Sequence, residues 1–317
     1  MVNKMRQKIV DATVITNNDS ADVLKNAQIQ IEDGLIKYVG STEHAPDFAA
    51  EKVIDAAGDI VMPGFFNTHT HTPMTILRCY ADDMALQDWL EKKIFPAEEK
   101  LTDEIVYWAT LAALCEFAAA GIVGFNEMYS NYDAIMRAVK QSGHRAVLAR
   151  GIVSFSRAMA DEKIAEAVDC YEKYQDSDRI NVFFSPHAQY TVDNDTLKRI
   201  ADLALKYNTG IHSHISETKK EHEECVQTTG KTPLEVYESL GLLDVPFIGA
   251  HCVWISDHDM EILKKHNATV ASCPRSNLKL ASGIAPLDKL LKTSVNVALG
   301  TDGASSNNKL SMMSEMT

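Results

Sequence analysis

Apolar runs of strand length recur along the whole chain, and what lies between them changes near residue 60. Before it, short alternating stretches at Ile9-Val10, Ala12–Val14, Ile29–Ile31, Ile36–Val39 and Val53-Ile54 are separated by polar turns at Asn17-Asn18-Asp19 and Asp33-Gly34. An Asp-Gly pair between two apolar stretches is a strong hairpin signal. Residues 1–59 are therefore expected to form a small β domain. A sheet this short normally takes partner strands, so a β-sandwich-like unit is expected. After it, the runs Ile60–Phe66, Gly121–Asn126, Ala146–Val153, Ile180–Ser185, Gly210–His214, Phe247–His251, Ala268–Ser272 and Val295–Thr301 alternate with segments of helical periodicity, among them Asp103–Ala119, Asp161–Tyr174, Asn194–Lys206 and Asp257–His266. Strand–helix alternation implies a parallel sheet. Eight such units predict an α/β fold over residues 60–317, a closed (β/α)8 barrel of the TIM type with its active site at the C-terminal strand ends. The chain stops shortly after the eighth strand, so the expectation is a C-terminally truncated chain, with the barrel's end and the strands that complete the small domain missing.

The histidines fall where such a barrel would place its chemistry. His69 and His71 end the first strand, and residues i and i+2 of a strand share a face, so two imidazoles can meet one metal ion. With 11 histidines in 317 residues a single HxH is unremarkable. The weight comes from further candidates after other apolar runs: His214 at the fifth, His251 at the sixth and Asp302 after the eighth. The net charge of −13 gives no basic face for phosphates and argues against a nucleic-acid partner. The N-terminus has no apolar core of a secretory signal. The longest apolar stretch, Leu111–Phe125, is interrupted by Glu116 and Gly121 and is too short to span a bilayer. Six scattered cysteines without a CxxC read as reduced thiols, which predicts a cytoplasmic protein.

Six stretches, PGFFNTHTHTPMTILRCYADDMALQDWL, FPAEEK, HSHISET, GAHCVW, SCPRSNLKLASGIAPL and ALGTDGASSNN, resemble the amidohydrolase superfamily. Within it they are most similar to the deaminases of 5′-methylthioadenosine and S-adenosylhomocysteine. Three features depart from the pattern: Cys79 stands where these relatives usually carry Gly, Ser272 stands where many carry His, and the C-terminal segment is absent.

The resemblance implies a single divalent metal held by His69, His71, His214 and Asp302, with zinc expected and iron, manganese or nickel compatible with the donors. No lysine stands in place of the bridging carbamate of dinuclear relatives. His212, one layer deeper than His214, is expected to be a core histidine or a hydrogen-bond partner of a ligand. Glu217 is implied as the proton shuttle, and His251 with Asp302 as the residues that orient or deprotonate the attacking water. Among substrate contacts, Glu98 is implied for the ribose hydroxyls and His187 for the purine. Arg150, inside an apolar strand and so in need of an anion partner, is implied for the carboxylate of a homocysteine tail. Ser276-Asn277 either line the pocket or cap a helix. The implied reaction is hydrolytic deamination to the inosyl product and ammonia. Water attacks C6 of the adenine, and Glu217 protonates N1 and relays a proton to the leaving amine. The HxE and PCxxC signature of the base-editing deaminases is absent.

Two other readings compete. One is the same scaffold with another leaving group, as in adenosine, guanine or cytosine deaminases and triazine aminohydrolases or chlorohydrolases. The other is a metal- or nucleoside-binding protein with little activity. A homo-oligomer is compatible with the chain. His44, His144, His222, His258 and His266 lie in polar or helical contexts and read as solvated.

Overall fold

The protein is described by a computed structural model covering residues 5–317, which divides into two compact units at Gly64/Phe65. In the first, β1 (Arg6–Ile15), β2 (Val23–Glu32), β3 (Leu35–Ser41), β4 (Lys52–Asp55) and β5 (Ile60–Val61) form one sheet of order β3-β2-β1-β4, with β5 also paired to β1. β2 runs antiparallel to β1 and β3, whereas β4 and β5 lie parallel to β1. The Asp33-Gly34 turn has both residues at positive φ (53° and 77°), the backbone a two-residue hairpin loop requires. Ala12, Val14, Ala27, Ile29 and Ala56 form its small core. Among the described residues this unit is a single five-stranded sheet, the small N-terminal β domain expected from the sequence.

The run Ile60–Phe66 is also not one strand. Ile60 and Val61 pair with Thr13 and Val14 in the small sheet, and only after Pro63-Gly64 does the chain enter the barrel as β6 (Phe65–Thr70). Proline has no N–H to continue a ladder, so the break falls there, some five residues later than the sequence reading drew it.

The second unit is the barrel. β6 is followed by β7 (Ile122–Tyr129), β8 (Arg145–Ile152), β9 (Ile180–Pro186), β10 (Ile211–Ile215), β11 (Phe247–His251), β12 (Thr269–Ser272) and β13 (Asn296–Leu299), all parallel and in sequential spatial order. Hydrogen bonds between the first and last strands bring the ends together. Thr68 Oγ1 donates to Leu299 O at 2.8 Å, Asn67 Nδ2 to Thr301 Oγ1 at 2.7 Å, and Asp302 N–H to His69 O at 3.0 Å. Gly300 permits this approach: a Cβ there would stand 2.8 Å from His69 Cβ and 2.9 Å from its backbone N and O.

Helices Asp103–Ala119, Arg157–Tyr174, Asn194–Tyr207 and Asp257–Lys265 stand where the periodicity predicts them. Each opens on a side-chain cap. Thr102 Oγ1, for example, accepts from Ile105 N at 3.3 Å and Asp193 Oδ1 from Thr196 N at 2.9 Å, satisfying N–H groups that a helix start leaves unpaired. Between helices and sheet, Phe117, Phe125, Leu148, Phe184 and Tyr237 are fully buried. Among the described residues no helix is long and apolar enough to cross a membrane.

Candidate metal centre and active site

The strand period delivers the first two imidazoles. His69 lies within β6 and His71 just past its end, both turned into the barrel and buried. His214, in β10, joins them, and one nitrogen from each of His69, His71 and His214 lies within 4.8 Å of the others. Asp302 completes the cluster, its Oδ1 3.5 Å from His69 Nε2 and 3.3 Å from His71 Nε2. Opposite stand His251, with Nε2 4.0 Å from Asp302 Oδ2 and 3.7 Å from Glu217 Oε2, and Glu217 itself. Three of the turns that aim these groups are sharp: Ser216, His251 and Asp302 have φ of 45°, 71° and 59°. Such left-handed backbone costs a non-glycine residue about 1 kcal/mol or more and persists where the surroundings enforce it.

The ring partners decide which nitrogens face the cluster. His71 Nδ1 donates to Met128 O at 2.5 Å and His214 Nδ1 to His187 O at 2.8 Å. A carbonyl can only accept, so both Nε2 lone pairs are left pointing inward. His69 Nδ1 bonds His212 Nε2 at 3.0 Å, while His69 Nε2 is buried without a hydrogen-bond partner. An orphaned imidazole nitrogen beside two more and a carboxylate fits a divalent cation with a position open for water.

Residues 60–317 match the sequence profile of the amidohydrolase family. The chain belongs to that family. It is 45% identical over 314 residues to a 5-methylthioadenosine/S-adenosylhomocysteine deaminase of Acetivibrio thermocellus, covering 97% of this chain and 72% of that protein. It is 43% identical over 315 residues to the protein of the same name from Thermoanaerobacter pseudethanolicus, at 98% and 73% coverage. In structure it is similar to an adenosine deaminase of Xanthomonas campestris solved with bound zinc, at a TM-score of 0.92 and 35% identity, covering 98% of this chain and 72% of that one.

In this amidohydrolase the burial of the cluster sets its protonation. Burial lowers the pKa of His69 to about 4 and that of His214 well below the ordinary value, so both are neutral donors. Burial works against the charge of Asp302, but the adjacent His69 imidazole and the fields of His71 and His251 outweigh it and hold its carboxyl well below the usual range. Burial raises the pKa of Glu217, with His251 pulling the other way. Burial opposes a charged His251, yet Glu217 and Asp302 together raise its pKa. The two carboxylates are thus driven apart, the pattern of an acid and a base in one site.

Above the cluster is a cavity of about 390 Å³ lined by His71, His214, Glu217, His251 and Asp302 and also by Glu98, Arg150 and His187. A larger open groove of about 690 Å³ beside it shares Phe155 and Tyr190 but holds none of the imidazoles. All nine residues singled out from the sequence therefore gather at one end of the barrel. Glu98 is not on a solvated helix face: it accepts from Tyr129 Oη at 2.6 Å, and burial raises its pKa. Burial takes His187 to about 3, and its Nδ1 lies 3.1 Å from Thr191 Oγ1. Arg150 has its expected anion, but the partner is Glu166 of the same chain, at 2.6 Å.

Supporting residues went unseen in the sequence. Glu221 accepts the N–H groups of Ser216 (2.9 Å) and Glu217 (2.8 Å), fixing the turn that carries Glu217. Ser282 Oγ donates to Glu217 Oε1 at 3.1 Å. Ser276-Asn277, left between two readings, both reach the centre: Ser276 Oγ donates to Asp302 Oδ2 at 2.5 Å, and Asn277 Oδ1 accepts from His251 Nδ1 at 2.8 Å. A carboxylate four residues after Glu217 was the one available signal. His266 is a correction of another kind. It is mostly buried, bonded to Leu243 O (2.9 Å) and Glu238 Oε1 (3.0 Å), and is not solvated.

Proposed function

We propose that this amidohydrolase is a hydrolytic deaminase of adenine nucleosides that carry a 5′-thio substituent, 5′-methylthioadenosine and S-adenosylhomocysteine, releasing ammonia and the inosyl product. The observation that carries the reading is the placement of Glu217, buried and raised in pKa, 3.7 Å from His251 and on the same cavity as the three-imidazole cluster. The names and identities of the two bacterial relatives support the substrate class.

His69, His71, His214 and Asp302 would hold one divalent ion, most simply zinc. Bound there, it supplies the Lewis acidity that brings the pKa of a water near neutrality. Asp302 accepts the water's proton, and His251, its Nδ1 tied to Asn277 Oδ1, steadies the water through Nε2. The oxygen adds to C6 while Glu217 gives its proton to N1. Glu217, now a carboxylate, takes the proton of the new C6 hydroxyl and passes it to the amino group; the C6–N bond breaks, C6=O forms, ammonia departs, and the proton held by Asp302 restores Glu217. Glu98, oriented by Tyr129, accepts from the two ribose hydroxyls, and His187 contacts the purine. The six free cysteines support a reducing, cytoplasmic setting.

Loss of adenine absorbance near 265 nm, followed with adenosine, methylthioadenosine and adenosylhomocysteine on the zinc-loaded protein, tests the assignment. Failure to convert any nucleoside would overturn it.

A further inference from the structure

We infer that the cavity prefers an uncharged, apolar 5′ substituent such as methylthio to the amino-acid tail of S-adenosylhomocysteine, and that Glu166 sets this preference by occupying Arg150. The inference rests on the substrate reading above and divides the two nucleosides it names.

A tail that ends in a carboxylate needs a cation at its far end. Arg150 is the one Lys or Arg side chain lining the cavity among the described residues. Its guanidinium is already engaged: Nε and Nη2 donate to Glu166 Oε2 at 2.7 and 2.6 Å, and Nη1 donates to Gly151 O. Lys163 Nζ holds the other oxygen of Glu166 at 3.1 Å, so the carboxylate is anchored from both sides. Burial would raise the pKa of Glu166, but Arg150 and Lys163 more than offset it and keep the group ionised.

The wall's other carboxyl groups, Glu98, Glu99, Glu217 and Asp302, offer a carboxylate tail no cation. An incoming carboxylate would therefore have to displace Glu166 from Arg150, where the arginine is only 8% exposed, or sit without a Lys or Arg partner. Both are penalties built against one tail and not the other. The same wall offers apolar area to a small thioether. Phe155 and Met159 line the cavity and stand 72% and 37% exposed. Sulfur packs well against aromatic and thioether side chains, so a methylthio group would cover surface that otherwise faces water.

The test is kcat/KM of the metal-loaded protein for adenosine, methylthioadenosine and adenosylhomocysteine, each tail expressed relative to adenosine, which has neither. Wild type should favour methylthioadenosine over adenosylhomocysteine by about tenfold or more, the size of one charge-assisted hydrogen bond. Glu166→Gln, which releases Arg150, should cut that ratio at least severalfold, and Phe155→Ala should lower the methylthioadenosine value against adenosine. Parity or a preference for adenosylhomocysteine in wild type overturns the inference whatever the variants do. An unchanged ratio in Glu166→Gln overturns the role of that residue. Turnover of none of the three would refute the substrate assignment and this inference with it, whereas turnover in the wrong order refutes the inference alone.

Discussion

Replacing Glu217 with Gln separates the chemistry from the architecture more cleanly than any other substitution in this site. The side chain is 6% exposed, so a change of volume would be felt, but Gln has the shape of Glu. The Ser282 hydroxyl that donates to Glu217 Oε1 at 3.1 Å can donate equally to the amide oxygen. The turn itself is held through main-chain N–H groups by Glu221 and does not depend on the side chain at 217. The structural cost should therefore stay below about 1 kcal/mol. The catalytic cost is of another size. A positioned general acid contributes about 10²- to 10⁴-fold, or roughly 3–5 kcal/mol of barrier, and an amide cannot lend N1 a proton. The assay is the absorbance decay with methylthioadenosine, alongside thermal melting and metal content by elemental analysis. Expected are unchanged metal, a melting temperature within a few degrees, and a kcat lower by at least about 100-fold. A variant that keeps more than a tenth of the wild-type kcat would refute the assignment of Glu217 as proton shuttle, because no neighbour could supply that proton from the same place.

The other predictions concern the surroundings of that reaction. Tyr129→Phe removes the O–H that orients Glu98 at 2.6 Å and should raise KM by about fivefold to tenfold with a smaller change in kcat, read from saturation curves. Asp302→Asn replaces the cluster's anion with a neutral amide and should weaken metal binding by more than about 100-fold, measured by competition with a chelator. Exhaustive chelation of the wild type should abolish deamination, and added zinc should restore it. Glu127 is buried and bonded to the backbone N–H and hydroxyl of Thr72, and burial lifts its pKa from 4.5 to about 8. Its folded form holds the proton more tightly than its unfolded form. Its contribution to stability is therefore complete below about pH 4.5 and is lost as pH rises through about 8, amounting to as much as about 5 kcal/mol. Melting temperatures between those limits should fall with pH in the wild type and less steeply in Glu127→Gln.

How far the sequence discloses such a site depends on how each residue is held. The candidate site residues are legible because a strand fixes their direction: His69 and His71 share a face by period alone, and His214 and His251 sit at the ends of apolar runs whose length already says strand. Their order along a barrel then makes convergence a geometric consequence. What holds them is not legible, because the partners are of kinds that leave no pattern. The acceptors that fix His71 and His214 are the backbone carbonyls of Met128 and His187, which any residue could provide. Asn277 and Ser282 act across 26 and 65 residues of chain. The same distinction explains where the barrel begins. An apolar run crossing from the small sheet into the barrel looks continuous in composition, and only the missing N–H of Pro63 marks the change of partner. Arg150 adds a further lesson. A buried arginine in an apolar strand demands an anion, but the demand does not say whose. Here helix Arg157–Tyr174 brings Glu166 to it, so an arginine that reads from the sequence as a hook for substrate already holds an anion of its own chain.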